Sequence, residues 1–532
     1  MHDQKATLSS RGYSANKYRL WISWIVILFI LNVVFWATID IAPFLHMDEI
    51  LIVELGRNIL NTETNWSVAW LLSQNKPVIT IFYLGPVLQE VSYQLIGELG
   101  PRISAFIGAG AAATLMLNWL ISRGVGAIVA TILALVFFLD PLFVQAFTMG
   151  RVDGWAMCFC IAACCVLRNI GSEYSFKLKT ILAGALSAAA VFVWPSALFL
   201  YPLIFLELLF VTGKISSERF NSTVPVLRFF SIGCLVTAAI IILPIMNELY
   251  ENLNTIIKGL LVNTRPGTSY EQAENPFIIL LRSLKFTPLL TLFALIGILI
   301  KRDLKLAIAV GVVITLMVLT VVYIHRVLYL VPYFIAAVSA LYYGKKNSSE
   351  KLFRAHKAIT YCLGVLLIWA FTLSVLARPA LAFSQYTETE RVLLHKTANE
   401  IVGKGNYAVL TPFELYYAGN ELGWSMYRPY IAVGEKLSAD ILKKLLPNVD
   451  YVILINQEIT EEVVKLLDDQ GFRDKGWYHV YKDPVLKKEY GKTEADLKYW
   501  GNLWRLRTVF SIYRQPYGPY RTYVRQTINR NI

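Results

Sequence analysis

The chain has 532 residues, 56% hydrophobic and only 16% charged, against roughly one quarter charged in soluble domains. That deficit excludes an ordinary soluble globular protein. The net charge of +13 would suit nucleic acid in a soluble chain, but here the Lys and Arg sit in short segments between apolar runs, where they set membrane orientation, and no nucleic-acid motif accompanies them.

In chain order, Lys5, Arg11, Lys17 and Arg19 precede the first apolar run, 20–39. No small-residue cleavage site follows that run, so it reads as a retained span and 1–19 as a cytoplasmic N-terminus. Runs of about 20 residues, enough to cross a bilayer core of about 30 Å, recur to Ala377. They lie near 102–122, 125–142, 153–168, 180–194, 196–213, 229–246, 283–300, 306–323, 327–343 and 358–377. The basic loops (Arg123; Arg168, Lys177 and Lys179; Lys214, Arg219 and Arg228; Lys301, Arg302 and Lys305; Lys345 to Lys357) then all fall on one side, which the positive-inside rule makes cytoplasmic. Pro77–Leu99 is apolar enough to cross, yet crossing would invert the strongly basic 345–357 loop. It therefore reads as interfacial helix within a large outer loop, 40–101. A second outer loop covers about 247–282.

An odd number of spans puts 378–532 outside. A helix reaching Val402, strands at Tyr407–Thr411, Asp450–Asn456 and Gly476–Tyr481, and a helix at Glu458–Gln470 predict a small α/β domain over 378–485. Residues 486–532 form a basic, aromatic-rich tail suited to anionic lipid or glycan, or simply solvated. The expected fold class is an α-helical polytopic membrane protein of about eleven transmembrane helices with a C-terminal extracytoplasmic α/β domain. All six cysteines fall inside spans at spacings that fit no zinc or haem pattern, so they read as packing residues.

Ionisable groups near hydrocarbon are costly and usually mark function. Five sets occur at the outer ends of spans: His46-Met47-Asp48-Glu49 with Glu54 and Arg57 following; Lys76; Arg102; Arg151-Val152-Asp153; and His325-Arg326 with Tyr329. Several carboxylates with several cations suit transfer from a phosphorylated donor, with a carboxylate accepting the acceptor hydroxyl's proton and cations holding the departing phosphate. They would equally suit a solute pathway, so a transporter or flippase stays open at this point, although no internal repeat is evident. Structural readings stand beside each group. Asp48-Glu49 could cap a helix. Arg102 and Arg326 could be interfacial anchors. Asp153 could pair with Arg151, although adjacent residues on a helix do not face one another. His46 belongs to no HExxH pattern, and Gly108–Gly110 reads as close helix packing.

At these residues the sequence resembles the C-type (GT-C) polyprenyl-phosphate-dependent glycosyltransferases, among them bacterial aminoarabinose transferases and protein O-mannosyltransferases. The matching stretches run in order through HMDEILIVELGRNIL, NKPVITIFYLGP, IGELGPRISAFIGA, LDPLFVQAFTMGRVDGWAM and HRVLYLVPYF. Departures are Val78 in place of a second proline, Trp194-Pro195 where a lysine is common, and the separation of Arg326 from Tyr329. The resemblance implies an inverting, single-displacement transfer at the outer leaflet, from a polyprenyl-phosphate sugar to a cell-envelope glycan, lipid or protein. A surface-polysaccharide ligase or polymerase is the alternative within enzymes. Carried onto this chain, it implies Asp48 as catalytic base with Asp153 and Glu49 as further catalytic candidates. Lys76, Arg102 and Arg326 would lie on the phosphate side, and Tyr329, Arg57 and Arg151 complete the substrate-binding candidates. No metal is expected to be required, with a divalent ion as the alternative. The expected location is the plasma membrane, with the site outside.

Overall fold

The computed structural model describes residues 2–40, 45, 47–61, 80–170, 173–216, 223–250, 253, 276–320, 324–342, 350–379, 391–427, 439–480 and 517–526. Lys76, His46 and most of the second expected outer loop lie outside the described residues.

The helices run α1 (His2–Trp36), α2 (Met47–Leu60), α3 (Leu84–Ile96), α4 (Gly100–Ser122), α5 (Ala127–Phe138), α6 (Pro141–Thr148), α7 (Asp153–Arg168), α8 (Glu173–Val193), α9 (Tyr201–Ser216) and α10 (Thr223–Ile242). Pro276–Leu284, Pro288–Lys301, Leu304–Leu319, Ile324–Val327, Val331–Ala340 and Glu350–Phe371 follow. Among the described residues, five segments are long and apolar enough to cross a membrane, and seven if each of two bent pairs counts as one span. The remaining expected spans fall on apolar helices of 10–17 residues and on the 16-residue α7.

The two bends have a common cause. Pro141 and Pro288 lack an N–H and push the residue before them out of helical geometry. The axis turns by 54° between α5 and α6 and by 101° between Pro276–Leu284 and Pro288–Lys301. Asp140 caps α6 by accepting from the Leu142 N–H at 3.0 Å. The apolar run expected at 125–142 therefore breaks at this cap. Helix α3 has 13 residues, about 20 Å of rise, which is too short to cross the core. It buries Gln89 and Glu90 and exposes Leu95 and Ile96, as an interfacial helix does.

Small residues let the central helices touch. A Cβ on Gly154 of α7 would lie 2.7 Å from the Ala109 backbone nitrogen of α4, and one on Gly108 would lie 2.8 Å from the Trp155 ring. Close helix packing is thus the role of Gly108, whereas Gly110 faces open space. Six free cysteines sit on the helices, three of them buried in α7.

The C-terminal part builds a five-stranded mixed sheet in the order β2-β1-β3-β5-β4, from β1 (Ala408–Leu410), β2 (Ser425–Tyr427), β3 (Tyr451–Ile455), β4 (Phe472–Tyr478) and β5 (Tyr520–Arg525). β1 pairs parallel with β2 and β3, and β5 runs antiparallel between β3 and β4. The β3 sequence YVILI is apolar throughout because both its faces are covered. Tyr451 and Ile453 point into one core with the Arg391–Ile401 helix, while Val452 and Leu454 point into the other with Leu442, Val463 and Leu467. Two features differ from the sequence expectation. β5 comes from the stretch read as a basic tail, so Tyr520–Arg525 form a strand of the sheet. The first core also takes in Leu45, Ile50 and Val53, so α2 packs with the C-terminal part.

Candidate active site

Asp48 and Glu49 open α2, where acidic side chains oppose the positive end of the helix dipole. As neighbours on a helix they diverge by about 100°. Each therefore serves a separate cluster.

On Asp48's side, Arg151 is the bridge. Its Nη1 donates to Asp48 Oδ2 and its Nε to Asp153 Oδ2 at 2.8 Å. Tyr329 donates its hydroxyl to the other oxygen of Asp153 at 2.9 Å. Arg151 can reach Asp153 because it precedes the helix: Asp153 is the first residue of α7, and Gly150 turns the chain just before it with φ +66°. A side chain at Gly150 would be strained and would press on Glu49, whose Cγ lies 3.0 Å from the Cβ position. Gln89 of α3 holds this turn by donating to the Gly150 carbonyl at 2.7 Å. The Trp194 ring lies 5.7 Å from the Arg151 guanidinium carbon. His325 brings Nε2 to 4.0 Å from Asp48 Oδ2. Asp153 is completely buried, whereas the Asp48 side chain keeps 23% of its surface exposed.

On Glu49's side everything is closed. Arg102 meets Glu49 Oε2 through Nε at 3.0 Å and Nη2 at 2.9 Å, and its Nη1 donates to the Ile39 carbonyl at 2.7 Å. Tyr417 donates to Glu49 Oε1 at 3.2 Å. All three side chains are fully buried.

Of the expected residues, then, Asp48, Asp153, Arg151 and Tyr329 form one network with His325 beside it. Arg326 is half-buried next to His325. Glu49 and Arg102 pair with each other instead. Arg57, expected among substrate contacts, donates to Glu90 at 3.1 Å and to Asn420 at 2.5 Å and lies 5.4 Å from the ring centres of Tyr93 and Tyr416. Burial accounts for both pairings: a guanidinium taken out of water holds its carboxylate partner closely.

Several residues were not anticipated from the sequence. Tyr417 and Asn420 reach the site region from the Tyr416–Leu422 helix, and no local pattern marks them. Glu207 of α9 binds Arg123, Arg168 and Trp119. An acid inside the run YPLIFLELLFV was a readable signal. His395 pairs with Glu98 and Glu421, and these three offer one ligand atom each within 4.8 Å, a donor set that could take a divalent ion. Arg391 also bonds Glu98, at 3.1 Å. His395 is pushed above its usual range, chiefly by its hydrogen bond to Glu98. Burial raises Glu98, but the bonds from His395 and Arg391 outweigh it and hold the carboxyl below its usual range.

No protein-family model and no curated protein matches the sequence. Solved structures do. ArnT from Cupriavidus metallidurans, bound to undecaprenyl phosphate, is similar with a TM-score of 0.54 at 12% identity, over 87% of this chain and 96% of that one. The archaeal oligosaccharyltransferase AglB from Archaeoglobus fulgidus, in complex with an inhibitory peptide and a dolichol-phosphate, gives 0.53 at 12% identity, over 96% and 89%. The chain has the GT-C fold. At this identity the similarity is one of architecture.

Proposed function

We propose that this chain is a membrane glycosyltransferase moving a sugar from a polyprenyl-phosphate donor to a hydroxyl of a cell-envelope glycan, lipid or protein. The observation that carries the proposal is Asp48, a partly exposed carboxylate beside Arg151 and His325 in a network whose other acid, Asp153, is closed off. Two lipid-phosphate-bound proteins of the same fold support the donor class. The basic loops support a site on the outer face of the plasma membrane, with the C-terminal α/β domain on that side.

In the proposed step the acceptor oxygen attacks the anomeric carbon from the face opposite the phosphate. The carbon–oxygen bond to the acceptor forms as the bond to the phosphate breaks, with inversion. The hydroxyl proton passes to an Asp48 carboxylate oxygen. The phosphate leaves with the bonding pair, so its charge grows, and nearby cations stabilise it. Arg151 and Arg326 are the described candidates for that role, with His325 beside them as a hydrogen-bond donor, and Lys76 joins them from outside the described residues. Asp153 and Tyr329 orient Arg151. Glu49 and Arg102 anchor α2. The proposed step is written without a metal: Arg151 lies between Asp48 and Asp153 and holds both carboxylates in place. Persistence of full turnover after chelation checks this.

The test is transfer by purified Asp48→Asn, which keeps the shape of the side chain but not its basicity. Turnover falls by about 10²–10⁴, with donor binding close to wild type. Near-normal turnover overturns the assignment. Comparing the glycans and lipids of deletion and wild-type cells by mass spectrometry identifies the sugar: one residue disappears and its polyprenyl-phosphate donor accumulates.

A further inference from the structure

We propose that the Tyr416–Leu422 helix of the C-terminal part positions the general base, with Tyr417 as a positioning residue that fixes the rotation of α2 and so the aim of Asp48. The inference rests on the reading of Asp48 as base. Helix α2 is gripped near both ends by this one short element. Near its start, Tyr417 donates to Glu49 Oε1 at 3.2 Å. Two turns later, Arg57 Nη1 donates to Asn420 Oδ1 at 2.5 Å, and Tyr416 lies against the same guanidinium. Tyr93 of α3 stacks on Tyr417 with ring centres 5.1 Å apart and planes 22° from parallel, which fixes the phenol. Between the two grips, Ile50 and Val53 are buried in the core beneath the sheet.

The geometry makes this grip matter for chemistry. Glu49 follows Asp48 directly, so any rotation of α2 that releases Glu49 swings Asp48 through the same angle. Asp48 meets Arg151 and His325 from a face about 100° round the helix from Glu49, and its Arg151 bond cannot survive a large swing. Glu49 has two kinds of partner. Arg102 comes from the membrane bundle and Tyr417 from the C-terminal part, so the orientation of the base depends on the docking of both. Replacing Tyr417 by Phe removes only the hydroxyl and leaves Glu49 Oε1 buried without its donor.

The experiment is a double-mutant cycle in kcat with purified full-length protein and a polyprenyl-phosphate sugar. Tyr417→Phe alone lowers kcat on the order of tenfold while the donor KM stays within about twofold. In the Asp48→Asn background, Tyr417→Phe lowers the residual turnover by less than about twofold, because the group it aims is no longer a base. Asn420→Ala, which loosens the far grip and leaves Glu49 untouched, shows the same non-additivity with a smaller loss. An equal fold-loss in both backgrounds overturns the inference and makes the contact one of general stability. Wild-type kcat in Tyr417→Phe overturns it too. Failure of the underlying reading is distinguishable, because Asp48→Asn alone would then turn over near normally.

Discussion

Helices α4 and α7 carry a charged cluster at each end, and the two clusters are built on opposite principles. Helix α7 starts at Asp153 in one and ends at Arg168 in the other, about 24 Å away. At the Arg168 end, Glu207 is 1% exposed and fully engaged. Its Oε1 accepts from Trp119 at 3.1 Å and Arg123 at 3.0 Å, and its Oε2 meets Arg168. Both guanidiniums are backed by rings, Arg168 at 3.6 Å from the centre of Phe210 and Arg123 at 4.7 Å from that of Trp119. That cluster ties the ends of α4 and α7 to the middle of α9, with each Glu207 oxygen facing a guanidinium. At the other end Asp153 and Glu49 are just as closed, but Asp48 keeps an accessible face. On the proposed reading, the carboxylate that works is the one that stays accessible to water.

Two substitutions break the comparison most sharply. Asp48→Asn removes about 10²–10⁴ of turnover with little change in melting temperature, since a partly exposed carboxylate is exchanged for its isostere. Glu207→Gln does the reverse. It strands two arginines in a buried pocket and costs on the order of 3–5 kcal/mol of stability, while turnover per folded molecule stays within about twofold. Thermal unfolding in detergent beside turnover normalised to folded protein checks both. A Glu207→Gln protein that melts normally but fails to turn over would erase the distinction between the two ends.

The sequence exposed one side of this contrast better than the other. Asp48, Asp153 and Arg151 were legible because charges at the mouths of apolar runs are rare and expensive. Their pairing was only half legible: the rule that neighbours on a helix diverge separates Asp48 from Glu49 correctly, but it misleads at Arg151, which lies before the helix and folds back onto Asp153. Arg102 and Arg57 were visible as charges and invisible as partners, because the rotation of α2 and α4 decides which carboxylate each meets. Tyr417 and Asn420 lie 368 and 363 residues from the groups they bond, a relation that only the docked fold supplies. β5 was hidden by its composition. In YRTYVR the arginines read as tail, yet Arg521 bonds Asp474 across to β4 while Tyr520, Tyr523 and Val524 fill the core.

A smaller effect sharpens the picture at the seam between the clusters. Gly154 follows Asp153, and a methyl group there meets the Ala109 nitrogen at 2.7 Å and the Gly108 carbonyl carbon at 3.0 Å. Gly154→Ala therefore forces α7 from α4 and costs about 1–3 kcal/mol, with a fall in turnover because Asp153 moves with the backbone. Gly110→Ala, on the same face-to-face pair of helices but in open space, is neutral or slightly stabilising. Melting curves of the two variants side by side check this, and equal destabilisation would mean the two helices are not in contact at Gly154.

The smallest effect belongs to a third cluster, which is open to water. His395 on the Arg391–Ile401 helix meets Glu98, in the turn before α4, through Nε2, and Glu421 through Nδ1 at 3.0 Å. Its raised pKa means that the folded state favours the imidazolium, so the stabilisation is complete below the ordinary histidine value of 6.5 and is lost as pH rises through the raised value. Glu98, held low, contributes above the ordinary carboxylate range and loses its share as pH falls through its lowered value. The difference in melting temperature between wild type and His395→Gln is therefore greatest at mildly acidic pH and vanishes in alkali. Glu421 is 60% exposed and His395 about a quarter, so water screens the pair and the whole effect stays under about 1 kcal/mol. A divalent ion held by the same three residues would give the opposite slope, because a metal needs the neutral imidazole and binds better as pH rises. Melting curves from about pH 5 to about pH 9, with and without a chelator, decide between them. Stabilisation that grows with pH and disappears on chelation would make this cluster a metal site instead of an ion-paired seam.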